Sequence, residues 1–274
     1  MPILMCPPTY YGVEYEINPW MHVESSVDAR RAWSQWEALR TTYRDLGVEV
    51  VLADPVPGLP DMVFTANAGV VHGERVVLSR FRHSQRQAEE SRWRGLFEGW
   101  GTPTFDTGDL AFEGAGDALF VAETLVCGHG FRTDPAAIPL VARSLGVDVV
   151  ALELVDPRFY HLDTCFCPLD PRTILFAPAA FSAGSRETVR RLAPRVIEVA
   201  ADVAAGFACN AMPIGDVVIS STAVETLRVP LREAGYRVLG LPMSEFIKSG
   251  GGVRCLSLPV GAVGRQPAAT SLPA

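Results

Sequence analysis

Five times along this chain a stretch with helical apolar periodicity stops at a glycine or proline and gives way to a short strand-like run, at Gly47, Gly101, Gly146, Pro194 and Gly235. The stops fall 41 to 54 residues apart, the range that signals repeated supersecondary units. The first stretch shows the pattern most clearly. Ala29, Trp33, Trp36, Leu39, Tyr43 and Leu46 recur at three- and four-residue spacing and predict an amphipathic helix over 27–46, followed by a strand over 48–52. Further helices are predicted over 87–100, 136–145, 185–192 and 222–234. Hairpin-like pairs of apolar runs lie between the stops: 62–71 with 75–78, 117–121 with 125–127, 164–168 with 173–177, and 208–212 with 217–220. A strand, strand, helix, strand unit repeated in this way predicts an α/β fold, a closed ring of five blades of ββαβ type around a central channel. An ordinary open α/β sheet is the competing arrangement. No linker is visible, so one domain is expected over 1–263, with the aperiodic stretch 264–274 as a mobile tail.

Composition narrows the function classes. A formal net charge of −7 without a Lys/Arg cluster argues against a nucleic-acid surface or an anionic membrane partner, and is compatible with a cationic small substrate. No run approaches the roughly 18 apolar residues that a membrane span needs. Residues 1–8 lack a charged leader and a long apolar core, so no secretory signal is expected there. The 6 cysteines (Cys6, Cys127, Cys165, Cys167, Cys209, Cys255) form no C-x-x-C pair and, with the scattered histidines, no plausible zinc set. A reducing cytoplasm, no metal and no cofactor are therefore the expectations. The residues leave the oligomeric state open, a homo-oligomer included.

The chemistry-bearing residues sit at the ends of the predicted strands. Ser249-Gly250-Gly251-Gly252-Val253-Arg254-Cys255 leads three glycines into one cysteine at the start of an apolar run. Such a backbone can lie against a substrate and present a thiol, although a cysteine in an apolar run can equally be an inert core residue. Pro60-Asp61-Met62-Val63-Phe64-Thr65-Ala66-Asn67 places an acid and an amide six residues apart. In an extended segment Asp61 and Asn67 would share a face and Phe64 would lie on the other unless a bulge re-aims it. Phe112-Glu113-Gly114-Ala115-Gly116-Asp117 sets two carboxylates in a glycine-rich turn, and His161 and Asp163 would share one face of a strand. Arg254, beside Cys255, would point away from it and reads as a packing or surface arginine.

Taken in order, Pro-Asp-x-x-Phe-Thr-x-Asn, Glu-Gly-x-Gly-Asp, His-Leu-Asp-Thr and Gly-Gly-x-x-Cys resemble the guanidino-group-modifying enzymes of the pentein superfamily. That group holds arginine deiminases, dimethylarginine dimethylaminohydrolases and glycine amidinotransferases on a five-bladed α/β propeller. The resemblance implies Cys255 as nucleophile, His161 as general acid and base, and Glu113 and Asp163 as the carboxylates gripping a guanidinium. It also implies substrate contacts from Asp61, Phe64, Asn67, Asn18, Asp117, Arg86 and Arg132, the last at the position that binds the α-carboxylate in deiminases. His-Leu-Asp is the deiminase form, but deiminases usually carry Asp where this chain has Asn67. Asn67 together with Ile17-Asn18-Pro19-Trp20-Met21 resembles a subgroup that hydrolyses arginine twice, through citrulline to ornithine. A neutral ureido oxygen would be repelled by a carboxylate there and could accept from an amide. The expected activity is therefore that of an arginine dihydrolase, with citrulline-forming deiminase, dimethylarginine hydrolysis and amidino transfer as alternatives. A non-catalytic scaffold is the remaining reading, and it requires Cys255→Ser to be silent.

Overall fold

A computed structural model describes residues 1–261, and the tail expected over 264–274 lies outside them. The described residues form five three-stranded sheets. One joins Gly69–His72, Arg75–Leu78 and Thr104–Phe105; the next joins Ala118–Val121, Thr124–His129 and Val149–Glu153. The third holds Phe166–Asp170, Thr173–Phe176 and Arg195–Glu198, and the fourth Met212–Ile214, Val217–Ser221 and Arg237–Leu241. In each, the first strand pairs antiparallel with the second, which pairs parallel with the third. A tight turn suffices for the antiparallel step, whereas the parallel step needs a crossover, and a helical segment supplies it each time. The fifth sheet has the same pattern with its first strand taken from the other end of the chain. Leu258–Pro259 pairs antiparallel with Ile3–Met5, which runs parallel to Val50–Leu52. The five sheets are the blades of the α/β propeller.

The crossover helices earn their place by burying one stripe. In Ala29–Asp45 the side chain of Asp28 caps the first turn by accepting from the Arg31 amide, and Trp36, Leu39 and Tyr43 are buried while Trp33 faces outward. Trp36, Leu39 and Tyr43 pack in one cluster with Met243, Phe246, Cys255 and Leu256, so this helix buttresses the segment that carries the cysteine. The helix expected over 222–234 begins instead as a 3₁₀ turn at Thr222–Leu227 and becomes α-helical only at Arg228–Glu233. Pro230 explains the change: with no N–H to give, it fits the first turn of an α-helix and not its middle.

The first strands of the blades surround the axis. His72, Leu119, Phe166, Met212 and Leu258, one from each blade, line a mostly apolar axial cavity of about 560 Å3. The chemistry-bearing loops gather at the other end of these strands, and there the expected strands start late. Residues 60–68 are not extended but form two 3₁₀ turns, Pro60–Val63 and Thr65–Ala68, and the strand begins at Gly69. Beyond the edge of the sheet the backbone satisfies itself locally, with Phe64 N–H donating to Asp61 O and Asn67 N–H to Phe64 O. Gly114–Gly116 and Leu162–Thr164 are 3₁₀ turns in the corresponding place in the next two blades.

Candidate active site

At three residues per turn, a 3₁₀ path puts positions i, i+3 and i+6 on one side. Here two such turns meet at Phe64, and Asp61, Phe64 and Asn67 all line one narrow cleft, with Asn18, Arg86, Arg132, His161, Gly251 and Cys255. This corrects the extended reading in one respect: Phe64 faces the cleft and is not turned away from it. Cys255 likewise lies in a turn, with Leu256 N–H donating to Gly252 O, and not at a strand start, since the strand begins at Leu258.

Two glycine-rich stretches let the backbone close on this cleft. A Cβ on Gly251 would sit 2.2 Å from Phe64 Cε1, and one on Gly252 would sit 2.8 Å from Asn210 Oδ1. A Cβ on Gly116 would sit 2.4 Å from Asn67 Nδ2 and 3.3 Å from the His161 ring. These residues are glycine because a side chain has nowhere to go.

The thiol stands among polar groups although it is almost wholly buried. Cys255 Sγ lies 3.2 Å from Asp163 Oδ2 and 3.1 Å from Asn210 Nδ2. Burial and the adjacent Asp163 carboxylate both raise the thiol pKa, with the Gly252 backbone and, less strongly, Asn210 working the other way. Asp163 is itself pushed up to about 7 by burial, against lowering by the Cys255 and Arg254 groups. In the resting site the proton therefore stays on sulfur, which donates it to Asp163. The other oxygen, Asp163 Oδ1, is buried with no partner, as is Asp61 Oδ1. Orphaned carboxylate oxygens at full burial are costly unless something cationic meets them.

His161 Nε2 lies 2.7 Å from Glu113 Oε2, which also accepts from Arg132 Nη1 at 2.8 Å. Burial alone would raise the Glu113 pKa, but Arg132 and His161 outweigh it and hold the carboxyl well below its usual range. Arg132 reaches on to the Ile17 carbonyl and lies over the Tyr160 ring, 4.7 Å from its centroid. Arg86 is held by both Glu89 oxygens, at 2.8 and 2.9 Å, and donates to Asn67 Oδ1 at 2.9 Å and to the Asp61 carbonyl at 3.1 Å. Asn67 Nδ2 donates to the Glu113 carbonyl, so the orientation of the amide is fixed from both ends. Tyr15 donates to Asp61 Oδ2, and Asn18 donates to the Ser249 carbonyl.

Most of the residues singled out from sequence thus meet at one cleft. Glu113, Asp163 and Asp117 stand behind the residues that line the cleft; of these Asp117 accepts from Thr133 Oγ1 and Leu162 N–H and so ties the loops together. Arg254 extends into the axial cavity, with Nη1 3.2 Å from Met212 Sδ. Sequence reasoning missed Glu89, Tyr15, Tyr160 and Asn210. Glu89, three residues after Arg86 on one helix, had a readable signal in its spacing. The six cysteines are all free and buried, and among the described residues no group of His, Cys, Asp and Glu could hold a metal ion.

A thiol beside a carboxylate, a histidine–glutamate pair and orphaned carboxylate oxygens, at the mouth of a five-bladed α/β propeller, define the guanidino-group-modifying class of the pentein fold. The profile of the family described as N,N dimethylarginine dimethylhydrolase, eukaryotic, matches residues 16–261, and the chain belongs to that family. It is 46 % identical over 265 residues to the bifunctional arginine dihydrolase/ornithine cyclodeaminase ArgZ of Synechocystis sp., covering 94 % of this chain and 37 % of that protein. This chain therefore spans little more than a third of the length of that relative. It is 42 % identical to the N(G),N(G)-dimethylarginine dimethylaminohydrolase of Mycobacterium tuberculosis, covering 93 % of this chain and 84 % of that protein. The crystal structure of the N-terminal domain of cyanobacterial ArgZ, a cysteine-to-serine mutant bound to substrate, superposes with a TM-score of 0.90. It is 45 % identical, with 94 % of this chain and 97 % of that chain covered. Among the described residues no helix is long and apolar enough to cross a membrane.

Proposed function

We propose that this protein is a cysteine-dependent hydrolase of the guanidino group of L-arginine, acting as one catalytic unit over 1–263. In this reading it is an arginine dihydrolase that converts arginine and two waters to ornithine, two ammonia and carbon dioxide. The observation that carries the proposal is the pairing of Cys255 Sγ with Asp163 Oδ2 at 3.2 Å, next to carboxylate oxygens that lack partners. A substrate guanidinium supplies the missing donors to Asp163 and Asp61 and, as a cation, favours the thiolate it is about to meet.

The resting cleft is filled by the protein's own arginines, and its free space of about 10 Å3 is about that of one water. Arg132 occupies Glu113 as a substrate guanidinium would. Exchange of one guanidinium for the other releases Arg132 toward the α-carboxylate, so the same event opens Glu113 and completes substrate binding. The Cys255 thiolate then attacks the guanidino carbon. Ammonia leaves with a proton from His161, and the amidino carbon remains on sulfur. His161, held by Glu113, deprotonates a water that attacks this carbon; the C–S bond breaks and citrulline forms with the thiolate restored. A second round on the ureido group releases the second ammonia and carbon dioxide.

Asn67 supports two rounds over one, because an amide can donate to the neutral ureido oxygen of citrulline. The second reading, hydrolysis of dimethylarginine to citrulline, is favoured by the family match and by the M. tuberculosis relative. A free, reactive thiol fits a reducing cytoplasm. The test is mass spectrometry of products after separate incubation with arginine, citrulline and asymmetric dimethylarginine. Ornithine and ammonia from both arginine and citrulline, with no amine acceptor added, are expected. Turnover of the methylated substrate alone, or strict dependence on an acceptor, refutes the dihydrolase.

A further inference from the structure

Asn210 is fully buried, lies 45 residues before the nucleophile in sequence, and touches it. Its side chain makes four hydrogen bonds, the full complement of a primary amide. Oδ1 accepts from the backbone N–H of Arg254 at 2.9 Å and of Cys255 at 3.3 Å. Nδ2 donates to the Asp163 carbonyl at 3.0 Å and lies 3.1 Å from Cys255 Sγ. An amide can usually be turned over without changing its shape, but not here. One end faces two backbone N–H groups, which only donate, and the other faces a carbonyl, which only accepts. Flipping it would set two donors against donors and an acceptor against an acceptor. The end presented to sulfur is therefore the NH2.

We infer that Asn210 is a further catalytic residue: its Nδ2–H donates to the Cys255 sulfur, holds it at Asp163, and stabilises the negative charge that sulfur carries before attack and regains when the product leaves. The inference rests on Cys255 being the nucleophile. Its geometry is that of a preorganised donor aimed at a reacting atom, placed on sulfur and not on a carbonyl oxygen. The surroundings favour that use. Beside Sγ stand an acid that repels the thiolate, the Gly252 backbone and this amide, the side-chain donor among them, while Arg254, the cation adjacent in sequence, extends into the axial cavity. Asn210 also accounts for Gly252, whose Cβ would strike its Oδ1. A purely structural clamp would need only Oδ1 on the turn and Nδ2 on the Asp163 carbonyl. The second Nδ2 hydrogen has sulfur as its acceptor.

Asn210→Asp keeps the Oδ1 acceptor for the turn and replaces the donor by an oxygen. Iodoacetamide labelling of Cys255, followed across pH by mass spectrometry, reads thiolate formation without substrate. The variant is expected to hold its fold by circular dichroism, to label on the order of tenfold or more slowly at neutral pH, and to recover wild-type labelling at higher pH. kcat should fall with it. A profile superimposed on that of the wild type overturns the inference. Should the variant not fold, the wild type decides: the Asn210 side-chain amide resonance must move as the thiol titrates, and must not move in Cys255→Ala. An amide blind to the thiol refutes the role. If wild-type Cys255 does not label faster than the other thiols, the assignment of the nucleophile itself fails, and that result is distinct from both others.

Discussion

Replacing Asn67 by Asp tests whether an amide is what permits a second round of hydrolysis. The side chain is held at both ends, by Arg86 Nη1 donating to Oδ1 at 2.9 Å and by Nδ2 donating to the Glu113 carbonyl at 2.9 Å. An Asp keeps its oxygen toward Arg86 and gains from a charge-assisted bond, worth about 1 kcal/mol more than the neutral one. At the other end an N–H···O bond becomes an O···O contact in a buried site, costing about 1–3 kcal/mol. The net destabilisation of up to about 2 kcal/mol lowers Tm by roughly 2–4 °C per kcal/mol, so the variant folds. Its effect on chemistry is asymmetric. The first round acts on a cation, which an added carboxylate holds at least as well. The second acts on a neutral ureido group whose oxygen then meets an acceptor where it had a donor. A lost bond of about 1–3 kcal/mol slows that round about 5- to 150-fold. Quenched time courses with arginine, analysed for citrulline and ornithine, should show citrulline building up in Asn67→Asp and passing through to ornithine in the wild type. Ornithine formed by both at the same ratio to citrulline refutes the assignment of Asn67.

Other outcomes follow from the same geometry. Asp163 has its folded pKa raised to about 7 from 3.8, so its contribution favours the fold at low pH and is lost as pH rises through 7. Asp163→Asn should therefore raise Tm at pH 8 with little change near pH 4, while abolishing turnover; a lower Tm at pH 8 contradicts the orphaned-oxygen argument. Gly251→Ala should cost about 1–3 kcal/mol through collision with Phe64 and lower activity, read by urea melts beside product assays, since the ring lines the cleft. Glu89→Gln removes the closer of the two acids beside buried Arg86, leaving Asp61 Oδ2 at 3.8 Å. It should destabilise by about 3–5 kcal/mol and raise KM, and a stability loss below 1 kcal/mol would show the pair to be dispensable.

The blade pattern was legible because helix ends announce themselves. Gly47, Gly101, Gly146 and Gly235 all have positive φ, the left-handed conformation that closes a helix and that glycine adopts most readily. With Pro194, these stops are enough to set the repeat spacing. Secondary structure at the cleft was not legible, because two four-residue 3₁₀ turns joined at Phe64 are too short to differ from an irregular strand by periodicity. The motifs still singled out residues that the fold brings to one cleft, while only the turn shows why Phe64 stands with Asp61 and Asn67. Asn210 left no trace in sequence: it sits in an ordinary Cys-Asn-Ala run, and its importance comes from groups at 163, 254 and 255 that only the closed ring brings to it. Asp117, a carboxylate in a suggestive motif, accepts from Thr133 and Leu162, partners that the motif did not announce.

The strand that completes the Ile3–Met5 sheet is Leu258–Pro259, three residues beyond the reactive thiol. Fastening the propeller and delivering its sulfur are therefore one event. A nascent or frayed chain in which this strand has not docked can hold every acid, the imidazole and all the other blades, yet has no nucleophile in place. On the proposed function, such a chain would turn nothing over, so catalytic competence becomes a report on whether Ile3–Met5 and Leu258–Pro259 have paired.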